Sequence, residues 1–430
     1  MRREGRAVAV AAALIAVLLA AGCGSGQAPS TLTRTTAAVP PAPSGPAFGI
    51  TEDNADLLWA PGDASAPPQA APFLPARREL AALHPRFIRL LVDWAALQPS
   101  PQSPPALGAP VDGCARGVPP CGSYPGLAGE LAAVASEQRA ARAHGEAAPQ
   151  VVLDILGTPA WAAAPAHGCV RAGTPETART LRPGALDSYR GLISRVLALG
   201  RAEGVALRWW SPWNEPNDPR FLSPQRASCE ATGAPLAPAA YAQMARAMGA
   251  ELAASGTGAR MLLGELGGYL SGSPHRLSVA EFVKALPADV LCTSRDWSVH
   301  AYAAYGPRAP VPGSDDPVEG LERALDARGG CAAGARVWVT EAGAGAPAPG
   351  RPRAPTAGQE SAGCDALAAQ LERWRRDPRV AAVLQYSFRE DPAYPVGLAD
   401  AGLDRLYPAH GLWLAFSGGD AGGRLPCGSA

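Results

Sequence analysis

The sequence is nearly devoid of lysine and carries no net charge. Of its 38 basic residues only Lys284 is a lysine, and 38 acidic residues balance them. A chain without net charge lacks the attraction that draws proteins to nucleic acids or anionic membranes, so we expect no nucleic-acid partner. Because no glycine precedes Lys284, the phosphate-binding Gly-Lys-Ser/Thr loop is excluded as well.

Several other motifs with known chemistry are absent. No Cys-x-x-Cys pair occurs, which excludes a zinc knuckle and a thioredoxin-type redox site. The six histidines form neither His-x-His nor His-Glu-x-x-His, so a catalytic metal has little support. The Gly-x-Ser-x-Gly turn of serine hydrolases is missing too. We therefore expect no metal and no other cofactor.

The apolar run at the N-terminus is too short to form a stable transmembrane span. It covers residues 7–21, follows three arginines and ends at Gly22-Cys23, which is typical of an export signal. Cys23 resembles the lipid-modified cysteine of bacterial lipoproteins. We predict a signal peptide over residues 1–23, a flexible Ser/Thr/Pro/Gly linker over 24–46, and an extracellular or cell-surface protein whose only membrane contact is the lipid anchor. Plain secretion after cleavage nearby is the alternative.

Strand-like and helix-like segments alternate in the rest of the chain, residues 47–430. The predicted strands cover residues 48–50, 87–94, 150–156, 207–215, 259–265, 297–302, 336–341 and 381–388. The predicted helices include residues 127–143, 185–202, 238–254, 318–327 and 357–376. Eight alternating strands predict an α/β fold, a (β/α)8 TIM barrel forming one catalytic domain. Loop insertions over 99–124 and 162–182 follow the second and third strands.

Two predicted strands end in a glutamate. The fourth ends in Trp213-Asn214-Glu215, directly before a proline, and the seventh ends in Val339-Thr340-Glu341. Active sites of such barrels lie at the carboxyl ends of the strands, and strands four and seven face each other across that mouth. A pair of facing carboxylates suits glycoside hydrolysis, in which one protonates the leaving oxygen and the other attacks carbon or activates water.

The same segments carry a family resemblance. Trp213-Asn214-Glu215-Pro216 and Val339-Thr340-Glu341-Ala342-Gly343 resemble the signatures of clan A glycoside hydrolases, which are retaining (β/α)8 enzymes. The resemblance implies that Glu215 is the general acid/base and Glu341 the nucleophile. It further implies substrate-binding roles, in which Asn214 contacts the sugar 2-hydroxyl, Arg89 and Tyr302 hydrogen-bond the nucleophile, and His300 lines the same cleft.

One position departs from the family pattern. Many clan members have a tryptophan at the end of the eighth strand as a platform for the sugar ring, but this chain reads Leu384-Gln385-Tyr386-Ser387-Phe388. Phe388 or Tyr386 replaces that tryptophan, or Trp161 supplies the platform. Trp94 and Trp213 also lie near predicted strand ends, and we include both with Trp161 and Phe388 among the predicted substrate-binding residues.

Eight cysteines remain when Cys23 is set aside. An even number in an exported chain predicts disulfides, although eight cysteines allow 105 pairings. Proximity in the sequence favours Cys114–Cys121. Cys169 and Cys229 lie in loops that should be adjacent at the barrel mouth, so we pair them, and Cys292–Cys331 and Cys364–Cys427 follow by elimination.

The sequence therefore predicts an exported retaining glycoside hydrolase that acts on a poly- or oligosaccharide as a monomer. Two other functions stay open. A surface barrel could bind glycans without cleaving them, although both glutamates are present. A transglycosylase would use the same carboxylates and differ only in the acceptor. The sequence leaves open the sugar, the linkage, and endo or exo action.

Overall fold

The computed structural model describes residues 45–303, 316–344, 357–418 and 427. The predicted signal peptide, the lipidation site Cys23 and nearly all of the predicted linker lie outside these residues. Among the residues described, no helix is both long and apolar enough to cross a membrane.

Nine strands and eleven α-helices alternate along the described chain. The strands are β1 (Ala47–Thr51), β2 (Phe87–Asp93), β3 (Gln150–Leu156), β4 (Trp209–Ser211), β5 (Arg260–Met261), β6 (Leu263–Gly267), β7 (Asp296–Ala303), β8 (Arg336–Ala344) and β9 (Val380–Tyr386). The helices are α1 (Ala55–Leu58), α2 (Leu74–Ala82), α3 (Trp94–Leu97), α4 (Gly126–Ala143), α5 (Ala185–Ala202), α6 (Ala237–Ser255), α7 (Val279–Ala285), α8 (Ala288–Leu291), α9 (Pro317–Arg328), α10 (Ala357–Arg376) and α11 (Pro408–Ser417). Short 3-10 helices cover Pro68–Phe73, Ala160–Ala162 and Glu176–Ala178.

The strands close into a parallel barrel. Their order in the sheet is β5-β4-β3-β2-β1-β9-β8-β7-β6, and all the pairings are parallel. The first and last members, β5 and β6, are separated in the chain by Leu262 alone, so together they form one barrel strand that pairs with β4 on one side and β7 on the other. The predicted (β/α)8 barrel is confirmed.

The strand ends differ from the prediction at several places. The fourth strand was expected to reach Glu215, but β4 stops at Ser211, because Pro212 has no N–H to continue the ladder. The second stops at Asp93, whose side chain caps the short helix α3 by accepting from the backbone N–H of Ala96. Glu215 therefore lies in the loop after β4, not on the strand. Both predicted loop insertions are present, between α3 and α4 and between β3 and α5.

The inside of the barrel is layered because side chains alternate along each strand. Large apolar side chains fill the lower layer, and the rings of Trp209 and Phe87 lie 4.6 and 4.7 Å from that of Trp338. Two residues further along each strand, the inward positions are polar: Arg89, Asp154, Ser211 and Thr340. The apolar layer thus supports a buried polar layer toward the barrel mouth.

Candidate active site

Glu341 is held by two donors at the mouth end of β8. The guanidinium of Arg89 donates from Nη1 to Glu341 Oε1 at 2.9 Å, and the hydroxyl of Tyr302 donates to Oε2. Burial, followed by the charge of Glu341, raises the pKa of Tyr302, so its hydroxyl keeps the proton that it donates. The predicted contacts of Arg89 and Tyr302 with this glutamate are both present in the structure.

Glu215 lies on the opposite side of the mouth, in a loop conformation. Its backbone φ is 35°, in the left-handed region that residues other than glycine rarely adopt. Its Oε1 lies 2.9 Å from Nδ1 of His300, and Arg220 Nη2 lies 3.4 Å from its Oε2. An unfavourable φ persists where surrounding contacts determine the conformation, and it is enriched at functional sites.

The two glutamates face each other across His300. Carboxylate oxygens of Glu215 and Glu341 and a ring nitrogen of His300 all lie within 4.8 Å of one another. The Nδ1 atom of His300 is also 3.3 Å from Glu341 Oε2. Each glutamate is slightly exposed, 8% for Glu215 and 7% for Glu341, so both are reachable from solvent. The structure therefore brings together the two carboxylates that the sequence predicted as a pair.

Arg89 connects this site to the buried polar layer. It has no exposed surface, and its Nη2 donates to Asp154 at 2.7 Å, to Asn214 Oδ1 at 3.1 Å and to Glu265 at 3.1 Å. Burial alone lowers the pKa of Arg89, but the surrounding carboxylates outweigh it and raise that pKa well above the usual arginine value. Arg89 is therefore a permanent positive charge among carboxylates.

Glu265 is a buried site residue that the sequence analysis missed. It accepts hydrogen bonds from Arg89, His300 at 2.8 Å, Ser211 at 2.8 Å and Thr340 at 2.6 Å. A bulge in β6 turns this side chain inward: the register shifts between Leu263 and Leu266, and Glu265 has φ 49°. The one signal in the sequence was a carboxylate at the end of a predicted strand, the same signal that identified Glu215 and Glu341.

Three of the predicted sugar-binding aromatics are core residues in the structure. Trp94, Trp213 and Phe388 are 0% exposed, and the indole N–H groups of the two tryptophans donate to Gln98 and to the carbonyl of Phe221. A ring without exposed surface has no face to offer a sugar. Because neighbouring side chains cover them, we correct the prediction for these three residues.

Other aromatic rings remain accessible near the mouth. Trp161 is half-buried and packs edge-on against Trp94, with ring centroids 5.8 Å apart. Tyr394, in the loop after β9, lies 5.1 Å from the ring of Tyr302 and 6.0 Å from that of Tyr386. Tyr394 was missed because it belongs to an irregular loop, where no strand or helix pattern indicates its direction.

Three residues of the site lie close enough together to be considered as metal ligands. Glu215, Glu341 and His300 are close enough to share an ion. Burial lowers the pKa of His300, but the charge of Glu341 and the hydrogen bonds to Glu215 and Glu265 outweigh burial and raise that pKa to about 10. A metal at Nδ1 of His300 would have to displace the proton that this nitrogen shares with Glu215. The sulfur atoms of Cys169 and Cys229 beside His275 are joined to each other in a disulfide.

The described chain contains the four disulfides that were expected from the sequence. They join Cys114 to Cys121, Cys169 to Cys229, Cys292 to Cys331, and Cys364 to Cys427. The first closes the insertion after β2, which Arg389 anchors by donating to the carbonyls of Gly113, Val118 and Pro120 at 2.8–3.0 Å. The second joins the loops after β3 and β4, as predicted. These two bridges fix loops that follow β2, β3 and β4 at the mouth end of the barrel.

Comparisons with other proteins agree with the barrel. No protein-family model and no curated protein matches the sequence. The structure is similar to that of SrfJ from Salmonella typhimurium, with 11% identity, a TM-score of 0.52, and coverage of 86% of this chain and 73% of that one. It is also similar to a monomeric β-xylosidase from Caulobacter crescentus CB15, with 15% identity, a TM-score of 0.52, and coverage of 88% and 69%. At these identities the likeness shows the fold alone, a (β/α)8 barrel.

Proposed function

We propose that this protein is a retaining glycoside hydrolase in which Glu341 is the nucleophile and Glu215 the general acid/base. The observation that supports this most directly is the proximity of the two side chains, whose carboxylate oxygens lie within 4.8 Å of each other. Retaining enzymes place these groups about 5–5.5 Å apart, whereas inverting enzymes leave about 6.5–9.5 Å for a water molecule. The short separation favours direct attack on carbon.

The proposed reaction has two steps. First, an oxygen of Glu341 bonds to the anomeric carbon while the glycosidic C–O bond breaks, and Glu215 gives its proton to the departing oxygen. Then Glu215, now a carboxylate, takes a proton from water, whose oxygen bonds to the anomeric carbon and displaces Glu341. Arg89 donates to Glu341 Oε1 and Tyr302 donates to Oε2, and these two hydrogen bonds orient the carboxylate for the first step.

Substrate contacts are proposed for residues with free polar groups or rings at the mouth. Arg89 engages Oδ1 of Asn214, which orients that amide and leaves its NH₂ group to donate to a sugar hydroxyl. Tyr386, Tyr394 and Trp161 are half-buried aromatics near the mouth, and we propose them as platforms for a sugar ring. The sugar that the protein would cleave is not identified by these contacts, and the β-xylosidase among the structural relatives suggests only which substrate to test first.

We propose that the protein acts outside the cytoplasm. Four disulfides are typical of chains that fold in an oxidising compartment. Anchoring through Cys23 remains a prediction from the sequence. If it is right, the protein expressed in a bacterium will fractionate with membranes and Cys23→Ser will release it. Wild-type protein found wholly soluble outside the cell would refute the anchor.

The test of activity is a panel of 4-nitrophenyl glycosides, beginning with the β-D-xyloside and extended by plant and cell-wall polysaccharides. We expect the native protein to hydrolyse at least one substrate, Glu341→Ala to hydrolyse none, and the control Glu146→Ala, an exposed glutamate before β3, to behave as the native protein. Binding of a polysaccharide without any cleavage would favour the non-catalytic alternative. Products longer than the substrate would indicate transglycosylation.

A further inference from the structure

Glu265 accepts several hydrogen bonds, although neither step of the proposed reaction uses this side chain. Its Oε1 accepts from Ser211, and its Oε2 accepts from Arg89, Thr340 and the Nε2 side of His300. The side chain is 0% exposed, so it contacts neither water nor substrate. The need to neutralise the charge of Arg89 does not explain why Glu265 is buried here, because Asp154 and Glu341 already pair with that guanidinium.

The hydrogen bonds of Glu265 determine where one proton lies on His300. Arginine has no acceptor atom, so Oε2 of Glu265 accepts from Arg89, and Oε1 accepts from Ser211; both oxygens are acceptors, as in a carboxylate. His300 Nε2 lies 2.8 Å from Oε2 and must therefore carry a hydrogen. The other ring nitrogen, Nδ1, is left to face Glu215 Oε1 at 2.9 Å and, further away, Glu341 Oε2 at 3.3 Å.

One further proton then lies between Nδ1 and Glu215. If the proton is on Nδ1, His300 is an imidazolium beside a carboxylate; if it is on Glu215, a neutral imidazole accepts from a carboxylic acid. The two forms contain the same number of protons and differ only in the position of one. The proton that a general acid must donate is thus present in both.

We propose that Glu265 is a positioning residue that holds His300 with its hydrogen on Nε2, and so keeps the proton of the general acid on the Glu215–His300 pair. The inference rests on the proposed function for its role in catalysis. When the glycosidic bond breaks, the pair gives this proton to the departing oxygen and is left as neutral His300 and the Glu215 carboxylate. The proton that the incoming water loses in the second step restores the pair.

The local backbone is built to place this carboxylate. Gly264 has φ 105°, and a Cβ added there would lie 2.4 Å from the carbonyl oxygen of Ser298, so only glycine fits the bulge. The N–H of Glu265 donates to Ser298 Oγ at 2.7 Å. Burial raises the pKa of Glu265, but Arg89, His300 and Thr340 outweigh it and lower that pKa to about 2, in agreement with a permanent carboxylate.

The test is NMR of the native protein with ¹⁵N-labelled histidine, over a range of pH, with the His300 signal identified by its loss in His300→Asn. We expect Nε2 of His300 to carry hydrogen throughout, and Nδ1 to titrate well above the pH of an exposed histidine. In Glu265→Gln, which keeps the shape and removes the charge, that titration should move down by about 1–3 pH units.

The control is Asp296→Asn, which removes a buried carboxylate from the same strand as His300 at the opposite end of the barrel, where Asp296 pairs with Arg336 at 2.6 Å. It should leave the His300 titration unchanged. A native Nε2 without hydrogen would overturn the proposal even if Glu265→Gln fails to fold. An unchanged titration in a folded Glu265→Gln would overturn it equally.

A kinetic measurement then separates this inference from the proposed function. With a glycoside found in the panel, Glu265→Gln should shift the alkaline limb of kcat/KM to lower pH by the same amount for a poor leaving group, and little for a 2,4-dinitrophenyl leaving group. A protein that hydrolyses nothing would refute the proposed function alone, because the NMR titration needs no substrate. An NMR shift without the kinetic shift would refute the catalytic role of the pair.

Discussion

Arg89 on β2 and Glu341 on β8 are joined by a hydrogen bond of 2.9 Å at the centre of the barrel. The arginine side chain is 0% exposed and the glutamate side chain 10% exposed, so the proposed nucleophile is held by a group that belongs to the core. Changes to this pair should therefore affect activity and stability together.

Arg89→Met should show this coupling. Three buried carboxylates lose their common partner, and leaving a buried charge uncompensated typically costs about 3–5 kcal/mol of unfolding free energy. Urea unfolding measures the loss. The control Arg139→Met breaks an exposed pair with Asp63, for which about 0–1 kcal/mol is expected. Equal losses in the two variants would contradict the role given to Arg89.

Glu341→Ala should abolish hydrolysis of every substrate that the native protein cleaves. Glu341 is the carboxylate that lies opposite Glu215 among the described residues, so its removal leaves the proposed first step without its nucleophile. Turnover of the glycoside panel measures the effect, and circular dichroism checks that the variant is folded. Residual activity above about a hundredth of the native rate would assign the nucleophile elsewhere.

Glu215→Ala should instead discriminate between leaving groups. A good leaving group needs little protonation, so the first step should survive, whereas substrates with poor leaving groups should lose about 10²–10⁴-fold in rate. Added azide needs no general base, and it should accelerate release as a glycosyl azide. A uniform loss for all leaving groups, unaffected by azide, would argue against a general acid at this position.

The charge pair of Glu265 and His300 should give stability a defined pH window. The folded pKa of Glu265, about 2, is below its ordinary value of 4.5, so its stabilisation is present above that value and is lost as pH falls toward 2. The folded pKa of His300, about 10, is above its ordinary 6.5, so its contribution is full below 6.5 and is lost as pH rises toward 10.

Urea unfolding at several pH values tests this window. The difference in unfolding free energy between the native protein and His300→Asn should be largest at pH about 5–6.5 and shrink as pH rises to 10. His167→Asn, at an exposed position, is the control and should show no such trend. A difference that grows with pH above 6.5 would mean that His300 is buried neutral.

The alternation of strands and helices was sufficient to predict the barrel, but not where each strand ends. The helix at Ala185–Ala202 was predicted to the residue, since its apolar positions recur with helical spacing. The run of residues 207–215 was predicted as one strand, whereas only Trp209–Ser211 is paired. The sequence carried the signal, because a proline follows Ser211, but the tryptophans on both sides of that proline favoured a strand.

The residues of the site were likewise predictable from the sequence only in part. Glu215 and Glu341 could be predicted as a pair because each follows an apolar strand in a recognisable motif. Glu265 also ended a predicted strand but lay in no such motif, and its inward direction comes from a bulge that depends on contacts with neighbouring strands, such as that of Ser298. Trp94 and Trp213 were placed wrongly because a tryptophan near a strand end packs inward as readily as outward.

The stereochemistry of the product tests the central claim most directly. NMR of the first-formed sugar, recorded during hydrolysis of the best glycoside of the panel before the anomers equilibrate, reports its configuration. One oxygen of each carboxylate lies within 4.8 Å of the other, close to the spacing of about 5–5.5 Å in retaining enzymes, so the account predicts the same anomer as the substrate. The opposite anomer would show that Glu341 activates water, and it would contradict the proposed double displacement.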